Sequence, residues 1–346
     1  MEKFNIVFIE TKNSKQSLLG RRAEEFVMRE FSDFDTENSR ISKAAAIDAP
    51  NKDYIISDAV NVVLTLDMPL IRKKTVEHYI SLMKHKNISA MRLGAKDSEA
   101  MIRIGDAPDE GIFVVDDDFL KINDTKSYNV VYNLLKDRIL DAHLERGVKL
   151  VDKKTVFIDD TVKIEAGAQI LPFSRIEGSS VIACGAKISA SLVRNSIVEH
   201  GASVEMSHIV DSCVRACATV GPFARLRGAQ IGDGCRIGDF VEIKASKLAS
   251  GVKASHLSYV GDAEVGENTN VGCGTVFCNY DGREKHKTVV GSGCFIGANT
   301  NLVAPVVVGD NAFVAAGTTV TRDVGEGSFT IGRVRQDTKT VNKSQT

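Results

Sequence analysis

Aliphatic residues recur at every sixth position through the second half of the chain. They fall at Ile158, Ile164, Ile170, Ile176, Ile182 and Ile188, and again at Val290, Ile296, Leu302, Val308, Val314 and Val320. A helix spaces its apolar residues three and four apart and a strand two apart, so a sustained period of six belongs to neither alone and marks a repeat. Six residues make one short strand and a turn. Stacking such units lines their aliphatic side chains into a continuous interior ladder, and the pattern predicts a parallel β-helix. Small residues follow the aliphatic position, as in Ile296-Gly297-Ala298 and Val308-Gly309-Asp310, where glycine is expected to serve a corner of positive φ. Between the two regular runs the beat slips, through Val214 and Val220, Ile231 and Ile237, and Val265 and Val271. Slips predict extruded loops. A sandwich of evenly spaced strands is the competing reading, disfavoured because its strands alternate with period two.

The first part reads differently. Phe4–Ile9 predicts a strand, Leu19–Phe31 a charged amphipathic helix, and the unbroken apolar run Asn61–Leu66 a buried parallel strand. A helix over Lys73–Lys84, a strand over Gly111–Val115 and a long helix over Ser127–Arg146 follow, the last with Val131, Leu134, Leu135, Ile139 and Leu144 as its apolar positions. This is an α/β pattern. Asp67 ends the apolar strand, at the carboxyl end where open α/β sheets bind ligands, and is either a turn residue or a metal ligand. A nucleotide site also needs a loop of backbone amides for phosphate. After the first strand the chain reads Glu10-Thr11-Lys12-Asn13-Ser14-Lys15, without a glycine.

Composition narrows the classes. The chain has 346 residues, 43% of them hydrophobic, enough for two domains. Its 44 basic and 45 acidic side chains nearly cancel, which argues against nucleic acid or a membrane surface as partner. No stretch has the length of a membrane span and the first residues lack a signal peptide's apolar region, so a cytoplasmic protein is expected. All seven cysteines lie in the repeat half at irregular spacings and read as reduced thiols rather than a disulfide or zinc framework. Aromatic content is 6%, which suits thin coils with aliphatic interiors.

Reactive side chains concentrate between Gly221 and Thr288. Coils of three six-residue sides bring residues about eighteen apart onto one face. Arg227, Lys244 and Lys287 would then suit a phosphorylated small molecule, guanidinium offering two donors and ammonium point charge. His256 is the candidate proton acceptor and Glu242 a carboxylate to fix its tautomer. Spacing alone leaves each of these equally readable as a turn residue or a solvated surface charge.

The wording of this region resembles a known family. Gly221-Pro-Phe-Ala-Arg-Leu-Arg227, Phe240-Val-Glu-Ile-Lys244, His256-Leu-Ser-Tyr259-Val-Gly-Asp-Ala263, Cys278-Asn-Tyr-Asp-Gly282, Leu302-Val-Ala-Pro305 and Ala316-Gly-Thr-Thr-Val-Thr-Arg-Asp-Val324 resemble the acetyltransferase half of the bifunctional N-acetylglucosamine-1-phosphate uridylyltransferase and glucosamine-1-phosphate N-acetyltransferase family. The resemblance runs from about Val156 to Arg335. It implies a left-handed parallel β-helix, an exception to the right-handed crossover rule, assembled as a homotrimer with active sites between subunits. It also implies acetyl-CoA as co-substrate and acetylation of the amine of glucosamine 1-phosphate. By the same resemblance His256 is the general base and Glu242 its supporting carboxylate. Arg227, Lys244, Tyr259, Asn270, Asn279 and Lys287 match sugar-phosphate contacts, and Cys273, Tyr280, Ala298, Ala316 and Arg333 match contacts of the acetyl-CoA side.

There are departures. The family carries Pro-Gly after the second arginine, whereas Arg227 is followed directly by Gly228, and Gly272-Cys273-Gly274 stands where the family reads Gly-Ala-Gly. In the first part, Leu64-Thr65-Leu66-Asp67-Met68-Pro69-Leu70 resembles the family's metal-binding aspartate motif. The glycine-rich nucleotide loop is absent, and Val130 stands at the family's second metal ligand. The expected organisation is a shortened nucleotidyltransferase-like α/β domain at 1–125, a connecting helix and linker at 126–150, the β-helix at 151–324 and a C-terminal arm at 325–346. Magnesium is expected only if the first domain is active. The expected activity is acetyl transfer without uridylyl transfer; acylation of another amino sugar, or a non-catalytic scaffold, are the alternatives.

Overall fold

The computed structural model describes residues 3–32, 39–45, 54–96 and 98–338. The chain divides into two compact units, Met1–Asp141 and Ala142–Thr346. In the first, the strand Phe4–Glu10 pairs in parallel with Ser39–Ala45 on one side and Val60–Thr65 on the other. Val60–Thr65 is buried along its whole length, as its apolar run requires. Met101–Ile104 adds antiparallel to it, Ala90–Leu93 antiparallel to that, and Phe113–Val114 closes the mixed six-stranded sheet.

The helices follow the sequence with one shift. The first spans Ala23–Glu30 rather than starting at Leu19, because Leu19 and Gly20 take positive φ and turn a short hairpin between Ser17–Leu18 and Arg21–Arg22. The second spans Lys73–Lys86, and the long helix Thr125–Glu145. The expected strand Gly111–Val115 shortens to Phe113–Val114, with Gly111 at positive φ before it. The long helix packs into the first unit through much of its length. Arg138 donates to Asp118 at 2.5 Å and the Tyr128 hydroxyl to the Ser17 carbonyl at 3.0 Å. Burial pushes the Asp118 carboxyl up, but Arg72, Thr75 and Arg138 more than offset this and hold it below its ordinary value.

The second unit is the left-handed β-helix. Its first face has ten parallel strands from Phe157–Ile158 to Thr319–Val320, its second nine from Lys163–Ile164 to Val306–Val308, and its third eleven from Lys149–Leu150 to Phe329–Thr330. The beat residues point inward. Ile158, Ile176, Val193, Ile209, Leu226, Ile243, Val260, Phe277 and Leu302 form the ladder of the first face and are all fully buried. Phe277 departs from the expected aliphatic interior, in the coil that also extrudes the longest loop. Buried hydroxyls secure the corners. Ser180, Ser196 and Ser212 each accept the amide of the residue one coil on, at 3.2, 3.0 and 3.0 Å.

The glycines behave differently from the sequence expectation. Gly297 and Gly309 are not at positive φ; that conformation falls two residues later, at Asn299 and Asn311. What these glycines supply is close approach. A Cβ at Gly297 would stand 2.4 Å from the Ala316 nitrogen of the next coil, and one at Gly309 2.5 Å from that of Glu326. Removing interior volume from the ladder tests its continuity. Ile243→Ala is expected to destabilise the β-helix by about 2–5 kcal/mol, seen as an earlier denaturant midpoint; a change below about 0.5 kcal/mol, typical of surface positions, would contradict a packed ladder there.

Candidate active site

The stretch 221–288 lies where successive coils stack polar residues on the outer side of the first face. Arg225, Glu242, Tyr259 and Val276 are in register, and so are Arg227, Lys244 and Gly261. The coil is one residue short of three hexapeptides here, and the short Arg227–Gly228 turn belongs to that shortening, with Gly228 at φ 61° on the corner. Arg227 and Lys244 are therefore direct neighbours.

The side chains form one connected set. Arg227 donates through Nε to Glu242 Oε1 at 2.8 Å, and through Nη2 to the same oxygen. Lys244 Nζ stands 3.3 Å from Asp262 Oδ2. Asn279, buried at 7% exposure, donates its amide to that same Asp262 oxygen and lies 3.5 Å from the Tyr259 hydroxyl. The loop between Val276–Cys278 and Thr288–Val290 folds back as a small hairpin, with Tyr280 opposite Lys285 and the His286 amide donating to the Asn279 carbonyl at 2.8 Å. This is how one slip in the beat returns Lys285 and Lys287 to the corner that Asn279 occupies. Amides of Glu284 and Arg283, with His286, hold the Asp281 carboxyl well below the usual carboxylate range and pin the hairpin's turn. Lys244 beside it pushes the Lys285 ammonium below the usual lysine range. Lys287 pairs with Glu264 at 2.6 Å on the exposed edge. Between them lies a cleft of about 410 Å³ whose lining includes Gly228, Lys247, Asp262, Glu264, Lys285 and Lys287. Three ammonium groups, Lys247, Lys285 and Lys287, stand in it against two carboxylates, Asp262 and Glu264, so cations are in excess and the cleft suits an anion.

The remaining candidates occupy a different edge. His256 ends the third-face strand Lys253–His256, is exposed, and is in register with Asp239. Asn270 lies on the third face between Lys253 and Phe295. Cys273, Ala298 and Ala316 stack on the corner between the third and first faces, linked by the Asn299 amide to the Cys273 carbonyl at 2.7 Å and the Gly317 amide to the Ala298 carbonyl at 2.8 Å. A Cβ at Gly317 would meet the Arg333 side chain at 3.5 Å, so Arg333 joins the same corner. Tyr280 stands 60% exposed on the hairpin. The carboxylate of Glu242 is engaged by Arg227, and no hydrogen bond from it to His256 is formed among the described residues of the single chain. Sequence reasoning also passed over Asp262 and Lys285. For Asp262 the signal was available: it follows the outward positions by the same step as Ala245 one coil back and Gly228 two coils back.

Among the described residues of the first unit, Asp67 has no second acidic or histidine side chain placed with it to hold a metal. Asp67 is buried, with one carboxylate oxygen accepting from the Thr11 hydroxyl at 2.9 Å and the other without a partner. The loop after the first strand closes over it. Ser14 is fully buried, and Asn13 donates to the Ile122 carbonyl at 2.6 Å. Magnesium takes an octahedron of oxygens, usually with more than one anionic ligand among protein and phosphate. No group of three His, Cys, Asp or Glu side chains placed to hold a metal occurs among the described residues, and Val130 is a half-exposed aliphatic residue on the long helix. No helix among the described residues is long and apolar enough to cross a membrane.

Coils of hexapeptides with an anion cleft at one corner define a hexapeptide-repeat β-helix protein, and residues 287–322 match the family model described as bacterial transferase hexapeptide (six repeats). The particular likeness is to bifunctional GlmU proteins. This chain is 45% identical over 227 residues to that of Clostridium novyi (strain NT), covering 65% of this chain and 50% of that protein. It is 48% identical over 206 residues to that of Nitratidesulfovibrio vulgaris (strain DP4), covering 59% and 45%. The chain spans about half the length of these curated relatives. Among solved structures, LpxA, a UDP-N-acetylglucosamine acyltransferase from Bacteroides fragilis 9343, is 19% identical over 49% of this chain and 67% of its own, at a TM-score of 0.27.

Proposed function

We propose that the protein transfers the acetyl group of acetyl-CoA to the amine of glucosamine 1-phosphate, and does not transfer uridylyl groups. The observation that carries the reading is the direct register of Arg227 with Lys244 beside Lys285 and Asn279, a phosphate-sized cluster of donors in a family context of sugar-phosphate acetylation. Lys244, Lys285 and Arg227 hold the phosphate, and Tyr259, Asn279 and Lys287 surround the sugar. Asn270 adds a contact to the sugar phosphate, Cys273, Ala298, Ala316 and Arg333 receive acetyl-CoA along the other edge, and Tyr280 meets it from the hairpin. His256 takes a proton from the amine as its nitrogen attacks the thioester carbonyl. The new C–N bond forms, the tetrahedral intermediate collapses, the C–S bond breaks, and coenzyme A leaves as its thiol after accepting the proton. Most of the acceleration comes from positioning and proton removal.

The two groups of residues lie on different edges of a single chain, so the complete site requires a second copy, and we place it in a homotrimer. Phe173, Met206, Phe223, Phe240 and Leu257 form an exposed apolar column on the corner between the third and first faces, of the kind a neighbouring subunit covers. The absence of uridylyl transfer rests on Asp67, sealed under Thr11, Asn13 and Ser14 where a nucleotide would have to enter. Acetyl-CoA and sugar phosphates are cytoplasmic metabolites, which sets the compartment. The short Arg227–Gly228 turn favours one second reading, an amino-sugar phosphate of different shape.

Thiol release from acetyl-CoA, measured with glucosamine 1-phosphate, glucosamine 6-phosphate and UDP-glucosamine in parallel, tests the proposal. Turnover highest with glucosamine 1-phosphate is expected. Preference for another acceptor would move the activity to the second reading, and silence with all three would leave a scaffold.

A further inference from the structure

We infer that Asp262 is a positioning residue for this site, acting through Asn279 and Lys244; the inference rests on the acetyl-transfer reading above. A single carboxylate oxygen of Asp262 receives both the Asn279 amide and the Lys244 ammonium, at 3.3 Å for the latter. A carboxylate only accepts, so the Asn279 side chain must present its NH2 to Asp262, with the Tyr259 hydroxyl 3.5 Å away on the same amide nitrogen. That fixes which way the amide faces. Its Oδ1 is then turned to the other side, as an acceptor for a donor such as the N–H of an attacking amine. An unpinned amide would populate both orientations, one of which offers the amine a repelling N–H.

The carboxylate is itself held by the main chain. Asp262 sits at the corner with φ 49°, a left-handed conformation that aspartate adopts more readily than most residues. Its amide donates to the Lys244 carbonyl at 3.0 Å, and its carbonyl accepts from the Thr288 amide at 3.3 Å. Lys244 is thus bound to Asp262 at both backbone and side chain, and the residue closing the hairpin is bound to it as well. One residue ties the phosphate cation, the amide at the reacting centre and the base of the hairpin into a fixed arrangement. Placing a reacting group out by about 1 Å costs on the order of 100-fold in rate, which is the scale at which such a tie matters.

The variant Asp262→Asn keeps shape and removes the charge that sets the amide's direction. Its expected effect is a kcat for acetyl transfer lower by roughly 100-fold, with the KM for acetyl-CoA and the thermal midpoint unchanged; a purely structural role would instead lower the midpoint and leave kcat per folded site intact. Asp262→Glu, which keeps the charge but displaces the amide by a methylene, is expected to lose kcat likewise and serves if the Asn variant does not fold. A crystal structure of either variant supplies a readout independent of the acceptor. The Asn279 side chain rotated or shifted from its wild-type place is expected, and Asn279 unmoved would overturn the inference, as would an unchanged kcat. If the wild type itself were silent with glucosamine 1-phosphate, the functional reading would fall, while the crystallographic comparison would still decide the role of Asp262.

Discussion

His256→Ala is expected to lower kcat for acetyl transfer by roughly 100- to 10,000-fold, the usual contribution of a positioned general base. The KM for glucosamine 1-phosphate should change little, because the phosphate cations stand on a different edge of the coil from His256. The reason for the size of the effect is chemical. A protonated amine has no lone pair, and the tetrahedral intermediate reverts unless its nitrogen loses a proton. His256 is exposed at the end of its strand, free of the carboxylate expected to support it, so a substrate and a second subunit reach it without displacing an internal partner. Steady-state thiol release resolves the effect. Retention of full activity would remove His256 from the mechanism and turn attention to Asp239, its register neighbour.

Lys244→Met should act in the complementary way. On the proposed function it removes a charge that holds the substrate phosphate, and it leaves a side chain of similar length. A charged hydrogen bond contributes about 1.5–3 kcal/mol, so kcat/KM should fall roughly 10- to 150-fold, mainly through KM for the sugar phosphate. The effect on stability should be small, because the Lys244–Asp262 contact is partly exposed and such pairs contribute about 0–1 kcal/mol. The ammonium of Lys285 should then titrate closer to its ordinary value, since Lys244 is what pushes it down. Initial rates over a range of sugar phosphate separate the two parameters; a drop confined to kcat would place Lys244 at the reacting centre instead.

The six-residue beat made the β-helix legible because its cause is local. One interior position per strand must be apolar whatever the neighbouring coil contains, and Ile158, Ile176 and Ile243 show this directly. The role of glycine was less legible. Corner conformation and coil-to-coil clearance both call for a small residue, and only the stacked backbone shows that Gly297 answers to the second. Register at the site was read nearly right, since Arg227 and Lys244 fall one coil apart and become neighbours. The expected partnership of Glu242 with His256 is not formed within the single chain, where Arg227 holds the Glu242 carboxylate and a corner lies between the two strands. The hairpin after Asn279 was visible as a break in the beat. That it folds back and delivers Lys285 beside Lys244 depends on the Tyr280–Lys285 pairing, which no periodicity records.

In the first unit the missing glycines had a physical consequence that the sequence foreshadowed. A loop rich in glycine leaves backbone amides open to phosphate. Here Thr11, Asn13 and Ser14 turn their side chains inward, and the Thr11 hydroxyl occupies the carboxylate of Asp67. Strands at 39–45, 90–93 and 101–104 carry weaker patterns and emerge only through pairing, the first with Phe4–Glu10, the second with Met101–Ile104 and the last with Val60–Thr65.

The most direct test supplies acetyl-CoA, UTP and glucosamine 1-phosphate together and determines the mass of the sugar recovered. Gain of a single acetyl group, with N-acetylglucosamine 1-phosphate as the end product, is the predicted result. Recovery of unmodified sugar, or formation of a uridine diphosphate sugar, would contradict the account, the first at the β-helix and the second at Asp67.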